Sequence, residues 1–557
     1  NKNRDALKNK RNKLLASLLE EEKISNEVYN MAVNEPLPKP LNTLPHHAYH
    51  LVDRLASDQG RIHSTIDYRK QKQFNNICLN YSDQMKIQNI HNLSAILINV
   101  KTGEVEAYVG NIHQSNDDHA GMVDMLQSVR SSGSILKPIL YTAAVDEGLI
   151  TPRQLVPDYP MNFYGYRPAN YNPNFDGLVP ADEALYRSLN IPSAWLLSKY
   201  GISKMKHSFG RLGLSSINRP ASNYGLSMIL GGAEVNLLEL TTSYASLGNQ
   251  LIEHEGDEFQ SYLTLDSVSV CLAKQIFDDG SVYSILTALT NTYRPETEAH
   301  WKSFSSGNKI AWKTGTSFGN RDAWAVGVTT EYAVGVWIGN SDGQGISGMT
   351  GLNHAAPLLF ELYGTLPSSS WFYEPYNMSS QMICTSSGMK AQPTCPNSKE
   401  EVLPSSSDRT KRCSYHKSIL VDNHGQRVYK ECSTGPTYFD TAFVLPPIIS
   451  YYYQKKHPDH KNLPPWNPAC ASSNNTINLL YPINEGIISL PRGEQGEITG
   501  KAFVENKKTE LFWDLNGEYI GSTVGLHELL LKPTSGENTL HLTDETGHAI
   551  KTSFTVK

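Results

Sequence analysis

Gly133-Ser134-Ile135-Leu136-Lys137-Pro138-Ile139-Leu140-Tyr141, continued by Ala143, Ala144 and Val145, is the stretch on which the reading of this chain turns. It is an apolar run with a proline in its first turn, where a missing N–H is tolerated, so it predicts a buried helix opening at Ser134. Residues three apart share a helix face, which puts the Lys137 amine within one turn of the Ser134 hydroxyl. A serine hydroxyl is a poor nucleophile at neutral pH and needs an adjacent base. Lys137 can be that base only when neutral, a state favoured by partial desolvation and by a second cation close by.

Two further boxes follow in order. Ser188-Leu189-Asn190 offers a hydroxyl that can relay a proton and an amide that can hold a peptide bond from both its donor and its acceptor side. Lys313-Thr314-Gly315-Thr316 offers a cation and two hydroxyls suited to a carboxylate, with a glycine that allows close backbone approach to a substrate. Lys313 is also the second cation that Lys137 requires.

Each box alone is unspecific. S-x-x-K recurs at Ser203 to Lys206, Ser306 to Lys309 and Ser414 to Lys417, S-x-N at Ser216 to Asn218 and Ser472 to Asn474, and K-T-G at Lys101 to Gly103. Context separates them. The other serines open no apolar helix, and short motifs of this kind recur by chance. Lys101-Thr102-Gly103 lies between Ala95–Val100 and Glu104–Val109, both strand-like, and reads as a hairpin turn. Lys313 instead ends a strand-like run from Lys309, and Asp322–Val328 follows after a Gly-Asn turn, so the motif is expected on one strand of a pair.

The chain has 557 residues, enough for two to four domains. Its net charge of −6 makes no electrostatic case for nucleic acid. No run of about 18 apolar residues occurs, so no membrane-spanning helix is expected within it. The chain begins at Asn1 with no signal-peptide pattern, which reads as a processed or truncated end. Of seven cysteines, Cys384, Cys395, Cys413, Cys432 and Cys470 fall in one stretch. Disulfides are the first reading there; zinc, through Cys413-x-x-His416 and its neighbours, is the second, because no tight C-x-x-C pair is present.

Four segments follow from patterning. Residues 1–45 contain two short helices, the second capped by Ser25, and an extended Glu35-Pro-Leu-Pro-Lys-Pro40 linker; they cannot bury a core alone. Residues 46–370 mix strands from both ends of the segment with helices between them, an α/β (α+β) layout. Residues 371–474 form a Ser/Pro/Cys-rich connection. Residues 475–557 alternate as short strands, with Asn516-Gly517 at a hairpin turn, and predict a small all-β sandwich.

Arg130–Pro138, Glu183–Pro192, Gly225–Glu234, Trp312–Ser317 and Arg321–Gly327 together resemble the class A penicillin-binding proteins, and within them the 1C subgroup. The resemblance implies a penicillin-binding transpeptidase fold, similar to serine β-lactamases, over residues 46–370, and a C-terminal β-domain over 475–557. It implies that Ser134 attacks the penultimate D-Ala carbonyl of a peptidoglycan stem peptide, with Lys137 as base, Ser188 as proton relay and Asn190 orienting the peptide amide. The N–H groups of Ser134 and Thr316 would form the oxyanion hole, and Lys313, Thr314 and Thr316 would bind the terminal carboxylate. Expected partners are stem peptides ending in D-Ala-D-Ala, β-lactams that acylate the same serine, and cell-wall synthesis proteins at the β-domain. No cofactor or metal is expected in the reaction. Residues 1–34 look like the tail of a glycosyltransferase domain whose acidic motif would lie upstream, so polymerising activity is not expected from these residues. The implied location is the bacterial periplasm or cell envelope, with a membrane anchor in the longer protein.

Three alternatives share the boxes. A serine β-lactamase needs a base for its deacylating water, yet no E-x-x-L-N box follows Ser188, and Glu183 lies before it and reads as helix surface. A D,D-carboxypeptidase differs only in using water as acceptor. A non-catalytic sensor or scaffold for β-lactams or muropeptides carries the same motifs, since a motif does not prove turnover.

Overall fold

The computed structural model describes the chain except residues 1–2, 38–46, 57–60, 113–118, 162, 164–165, 253–257, 266, 274, 296–308, 431, 434, 462, 471–476, 490–495, 505–507 and 546. Part of the Glu35–Pro40 linker, the Ser306 and Ser472 motif matches, and the expected boundaries at 45/46 and 474/475 therefore lie wholly or partly outside the described residues. Two compact units are present, residues 1–47 and 48–557. In the first, helices Arg4–Glu20 and Asn26–Asn34 bury no residue, as expected of a pair too short to enclose a core. Ser25 caps the second helix by accepting the Val28 N–H at 3.3 Å. Arg11 of the first helix holds the end of the second by donating to the Val33 carbonyl at 3.0 Å and to the Glu35 carbonyl just beyond it at 2.6 Å.

The second unit is built on a five-stranded antiparallel sheet. Its order is Val105–Val109, Asn92–Asn99, Tyr332–Gly339, Asp322–Val328, Ala311–Thr316, so strands from both ends of the segment lie side by side. Asn92–Asn99 explains the layering. Leu93, Ala95 and Leu97 enter a core with Phe74, Tyr81 and Met85 of helix Tyr68–Lys86 and Leu358, Leu359 and Leu362 of helix Ala356–Tyr363. Ile96 and Ile98 enter the opposite core, with Ile139 and Leu140 of helix Lys137–Asp146 and Leu240, Tyr244 and Leu247 of helix Leu237–Gln250. Alternate side chains point to opposite faces of a strand, and here both faces are covered by helices.

Lys101-Thr102-Gly103 closes the hairpin between Asn92–Asn99 and Val105–Val109, with Gly103 at φ 76° and its N–H on the Asn99 carbonyl. Lys313 lies opposite Val326 on the neighbouring antiparallel strand, the pairing expected for the third box. The predicted start of the helix at Ser134 shifts: the helix is Lys137–Asp146, and Ser134 sits in the turn before it. The reason is Pro138. It has no N–H to give the Ser134 carbonyl, which instead receives the Lys137 N–H at 3.3 Å in a tighter turn.

Beyond the sheet domain, Met378–Cys384 pairs with Ser398–Pro404, and His416–Asp422 pairs with Thr437–Phe443. Cys432 and Cys470 form a disulfide. The C-terminal strands form one sheet of three and one of five around Trp513, Leu511, Leu531, Leu540, Leu542 and Phe554. Asn516 and Gly517 turn the Glu510–Leu515 / Glu518–Val524 hairpin at φ 56° and 81°, as the sequence predicts. Among the described residues no helix is long and apolar enough to cross a membrane.

Candidate active site

The turn bearing Ser134 is held from several sides. The Ser132 N–H and hydroxyl both donate to the Ala233 carbonyl, at 3.0 and 2.8 Å, and the Ser131 hydroxyl donates to Gly231 at 2.8 Å. The Trp324 indole N–H donates to the Ser131 carbonyl at 2.8 Å, and the Tyr244 hydroxyl donates to the Ile135 carbonyl at 2.7 Å. The turn abuts the strand that carries the third box. Gly133 has φ 53°, and a Cβ there would lie 2.5 Å from the Thr316 carbonyl oxygen and 2.6 Å from its nitrogen. A Cβ on Gly315 would lie 2.6 Å from the Ser132 carbonyl oxygen. Gly315 thus serves backbone-to-backbone packing against the Ser134 turn, a different close approach from the substrate contact its motif suggests.

The second box begins where helix Ala181–Tyr186 ends. The Leu189 N–H bonds the Ala184 carbonyl and the Ser188 N–H bonds Leu185, both at 2.9 Å, a Schellman closure with Ser188 in the left-handed region at φ 60°. Glycine is usual at that position, and a β-carbon there costs about 1–2 kcal/mol. The strained residue faces two lysines. Lys137 Nζ donates to the Ser188 carbonyl at 2.8 Å, to Leu189 at 3.0 Å and to Asn190 Oδ1 at 2.7 Å. Lys313 Nζ donates to the Ser188 hydroxyl at 2.8 Å and to the Thr314 carbonyl at 2.8 Å.

Both lysines are fully buried. Burial first, and the Lys313 charge second, hold Lys137 well below the ordinary lysine range. Burial lowers Lys313 to about 7. This is the combination that the sequence asked of a lysine base. Ser134 is partly exposed and makes no side-chain hydrogen bond among the described residues. Thr314 and Thr316 are also partly exposed, and the Thr316 hydroxyl accepts the Gly351 N–H at 3.0 Å.

Asn190 spends both ends of its amide inside the protein. Its Oδ1 receives Lys137, and its Nδ2 donates to the Ala169 carbonyl at 2.7 Å. Sequence reasoning missed the group that positions it. Asn170 Oδ1 accepts the Asn190 N–H at 2.8 Å and the Ile191 N–H at 3.3 Å, capping helix Asn190–Tyr200 from a distant loop. Asn170 Nδ2 donates to the buried Asp158 carboxylate at 2.7 Å. Nothing in the residues next to Asn170 marks it as a helix cap. Tyr244, inside an apolar helix, carries no signal at all. Glu183 pairs with Arg187 four residues on at 2.8 Å, consistent with its reading as helix surface.

Residues 93–362 match the penicillin binding protein transpeptidase domain family, and residues 467–554 match the Penicillin-Binding Protein C-terminus Family. The chain is 27% identical to penicillin-binding protein 1C of Escherichia coli over 522 residues, covering 90% of this chain and 66% of that protein. It is 27% identical to penicillin-binding protein 1B of Haemophilus influenzae over 383 residues, covering 62% of this chain and 47% of that one. The chain thus spans between about half and two thirds of the length of these relatives. A crystal structure of penicillin-binding protein 1A from Haemophilus influenzae superposes with a TM-score of 0.56 at 16% identity, over 73% of this chain and 83% of that chain, a likeness of fold. With a transpeptidase domain and a C-terminal domain both matched, and with a 1C relative aligned across nine tenths of this chain, the chain is similar to the class A penicillin-binding proteins, and within them to the 1C subgroup.

Proposed function

We propose that the protein is a serine D,D-transpeptidase that cross-links peptidoglycan stem peptides through an acyl-enzyme on Ser134. The observation that carries this reading is the meeting of two buried lysines from separate boxes on the strained Ser188–Asn190 segment, with the Ser134 turn packed on the strand that bears Lys313.

Ser134 Oγ attacks the penultimate D-Ala carbonyl and its proton passes to neutral Lys137. The N–H groups of Ser134 and Thr316 receive the developing oxyanion. The C–N bond to the terminal D-Ala breaks, and its nitrogen takes a proton through the Ser188 hydroxyl. Lys313, Thr314 and Thr316 hold the departing residue's carboxylate, and Asn190 acts mainly by positioning Lys137. The amine of a second stem peptide then attacks the ester and returns the proton to Ser134. β-Lactams enter at the first step and stop there.

Residues 46–370 are taken as the transpeptidase domain, 371–474 as its connection and 475–557 as a β-sandwich that meets cell-wall synthesis proteins. The helical pair at the N-terminus is taken as the end of a glycosyltransferase domain of a longer, membrane-anchored protein in the bacterial cell envelope. The test is labelling with fluorescent penicillin, lost in Ser134→Ala, followed by incubation with a donor thioester and a D-amino acid. Transfer to the amino acid supports transpeptidation. Hydrolysis alone makes it a carboxypeptidase, and labelling with neither makes it a sensor.

A further inference from the structure

Four side chains outside this site converge on one point. Strand Met378–Cys384 ends at Cys384, and a tight turn closed by Gly388 at φ 65° brings the chain back, so that the Cys384 N–H bonds the Met389 carbonyl at 2.8 Å. Cys395 lies in the loop that follows, its sulfur receiving the Gln392 N–H at 3.4 Å. Cys413 comes just before strand His416–Asp422, which opens with His416. Its N–H bonds the Lys390 carbonyl at 2.8 Å. Cys384 and Cys413 are completely or almost completely buried, and His416 is buried with them.

The spacing is that of a coordination tetrahedron. His416 Nδ1 lies 3.4 Å from the Cys384 sulfur and 3.5 Å from the Cys413 sulfur, and all four donor atoms lie within 4.8 Å of one another. A tetrahedral zinc ion with thiolate and imidazole ligands has N···S edges of about 3.6 Å. We propose that Cys384, Cys395, Cys413 and His416 Nδ1 form a structural Zn²⁺ site. Three thiolates and one imidazole fill all four positions, which leaves none for a reactive water and makes the site structural.

A disulfide accounts for these residues less well. It would join two of the three sulfurs and strand the third beside a buried imidazole. The chain pairs Cys432 with Cys470 while these three thiols stay unjoined. The location also calls for a staple. The two hairpins Met378–Pro404 and His416–Phe443 belong to separate two-stranded sheets; they meet where Gln392 and Thr394 donate to the His416 carbonyl at 2.8 and 3.0 Å, beside an isolated pairing of Lys390 with Arg412. Two-stranded hairpins are marginal alone, and among the described residues the apolar cluster at this point has Cys384, Met389 and Cys413 as its buried members. The metal would hold both hairpins. It would also order the 385–388 turn, which docks on the segment after the Lys137–Asp146 helix: the Leu155 N–H bonds Ser387 at 2.9 Å and the Thr151 hydroxyl bonds Gly388 at 2.6 Å.

The test is made on the full chain, purified without chelators and dialysed, with metal content measured by mass spectrometry. The expected result is stoichiometric zinc, lost in Cys413→Ser and in Cys395→Ser, the least buried ligand, and retained in His416→Cys and Cys432→Ser. Circular dichroism checks that Cys395→Ser remains folded. Replacement of zinc by Co²⁺ should give tetrahedral d–d bands with thiolate charge transfer, absent in Cys395→Ser. The proposal is overturned if protein loaded with Zn²⁺ under reducing conditions holds none after dialysis. It is equally overturned if peptide mapping of non-reduced protein finds two of the three cysteines bridged.

Discussion

Ser188 accepts from Lys313 through its hydroxyl and from Lys137 through its carbonyl, each at 2.8 Å, so one left-handed residue ties the two buried lysines together. The strain and the contacts have separable consequences. Ser188→Gly keeps the carbonyl and relieves the backbone, whereas Ser188→Ala keeps the strained β-carbon. Ser188→Gly should therefore be more stable than Ser188→Ala by about 1 kcal/mol in denaturant melts. Both should lose roughly a hundredfold or more in penicillin acylation rate, because both lack the hydroxyl. Equal stability of the two variants would remove the strain argument.

Gly133→Ala should fail for a steric reason. Its new methyl group would sit 2.5 Å from the Thr316 carbonyl oxygen, on a backbone at φ 53°. A loss of roughly 3 kcal/mol is expected, with acylation abolished in whatever fraction folds. Thermal melting together with gel labelling checks both parts.

The pH dependence follows from Lys313, which burial lowers to about 7. The second-order rate constant for acylation by a carboxylate-bearing β-lactam should fall above that pH, as the carboxylate loses its cation. Lys313→Arg should acylate more slowly but without the alkaline fall, since a guanidinium keeps its charge. Stability moves the other way. Between about 7 and the ordinary lysine value of 10.5 the unfolded chain holds a proton that the folded one has lost, so this group makes folding more favourable as pH rises. Stopped-flow acylation and chemical melts across pH 6 to 10, roughly the span set by the two lysine states, measure the two trends.

Asn190→Asp places a carboxylate where an amide oxygen now receives Lys137 at 2.7 Å. The opposite charge favours the ammonium and opposes the burial that lowers Lys137. Acylation at neutral pH should drop about tenfold for each pH unit by which the base is raised, and recover at higher pH. A drop that alkali does not rescue would point to a lost substrate contact instead.

Asn170→Ala removes the cap from the Asn190 and Ile191 N–H groups and a donor from the buried Asp158 carboxylate. Burial already raises Asp158 above its ordinary value, so the carboxylate has little hydration to fall back on. Roughly 3 kcal/mol of stability should be lost. Asn170→Asp should be at least as damaging, since it sets a second carboxylate against the first. Denaturant titration of the two variants tests the order.

Much of the fold was legible because its signals are local and periodic. The strand-like runs at 95–109 and 309–328, the Asn516-Gly517 turn and the Ser25 cap each depend on neighbours a few residues away. The three boxes were legible in the same way, once the helix after Ser134 and the strand under Lys313 separated them from chance matches. The start of that helix was misplaced although its cause, Pro138, stood in the sequence. A proline in the first turn is usually harmless, and the shift to Lys137 becomes clear only when the acceptor it leaves behind is traced.

Legible in the sequence alone were the order of the elements and the side chains suited to act as nucleophile, base and cation. Those properties reside in side-chain chemistry and in contacts within one or two turns. Tertiary structure alone decided that Ser188 occupies a helix terminus where glycine is usual, that Gly315 packs on Ser132, that Asn170 caps a helix 20 residues away, and which cysteines gather around His416. Each of these is a meeting of groups far apart in the chain. No local pattern encodes such a meeting, because it exists only once the sheet and the helices on its two faces have brought those segments together.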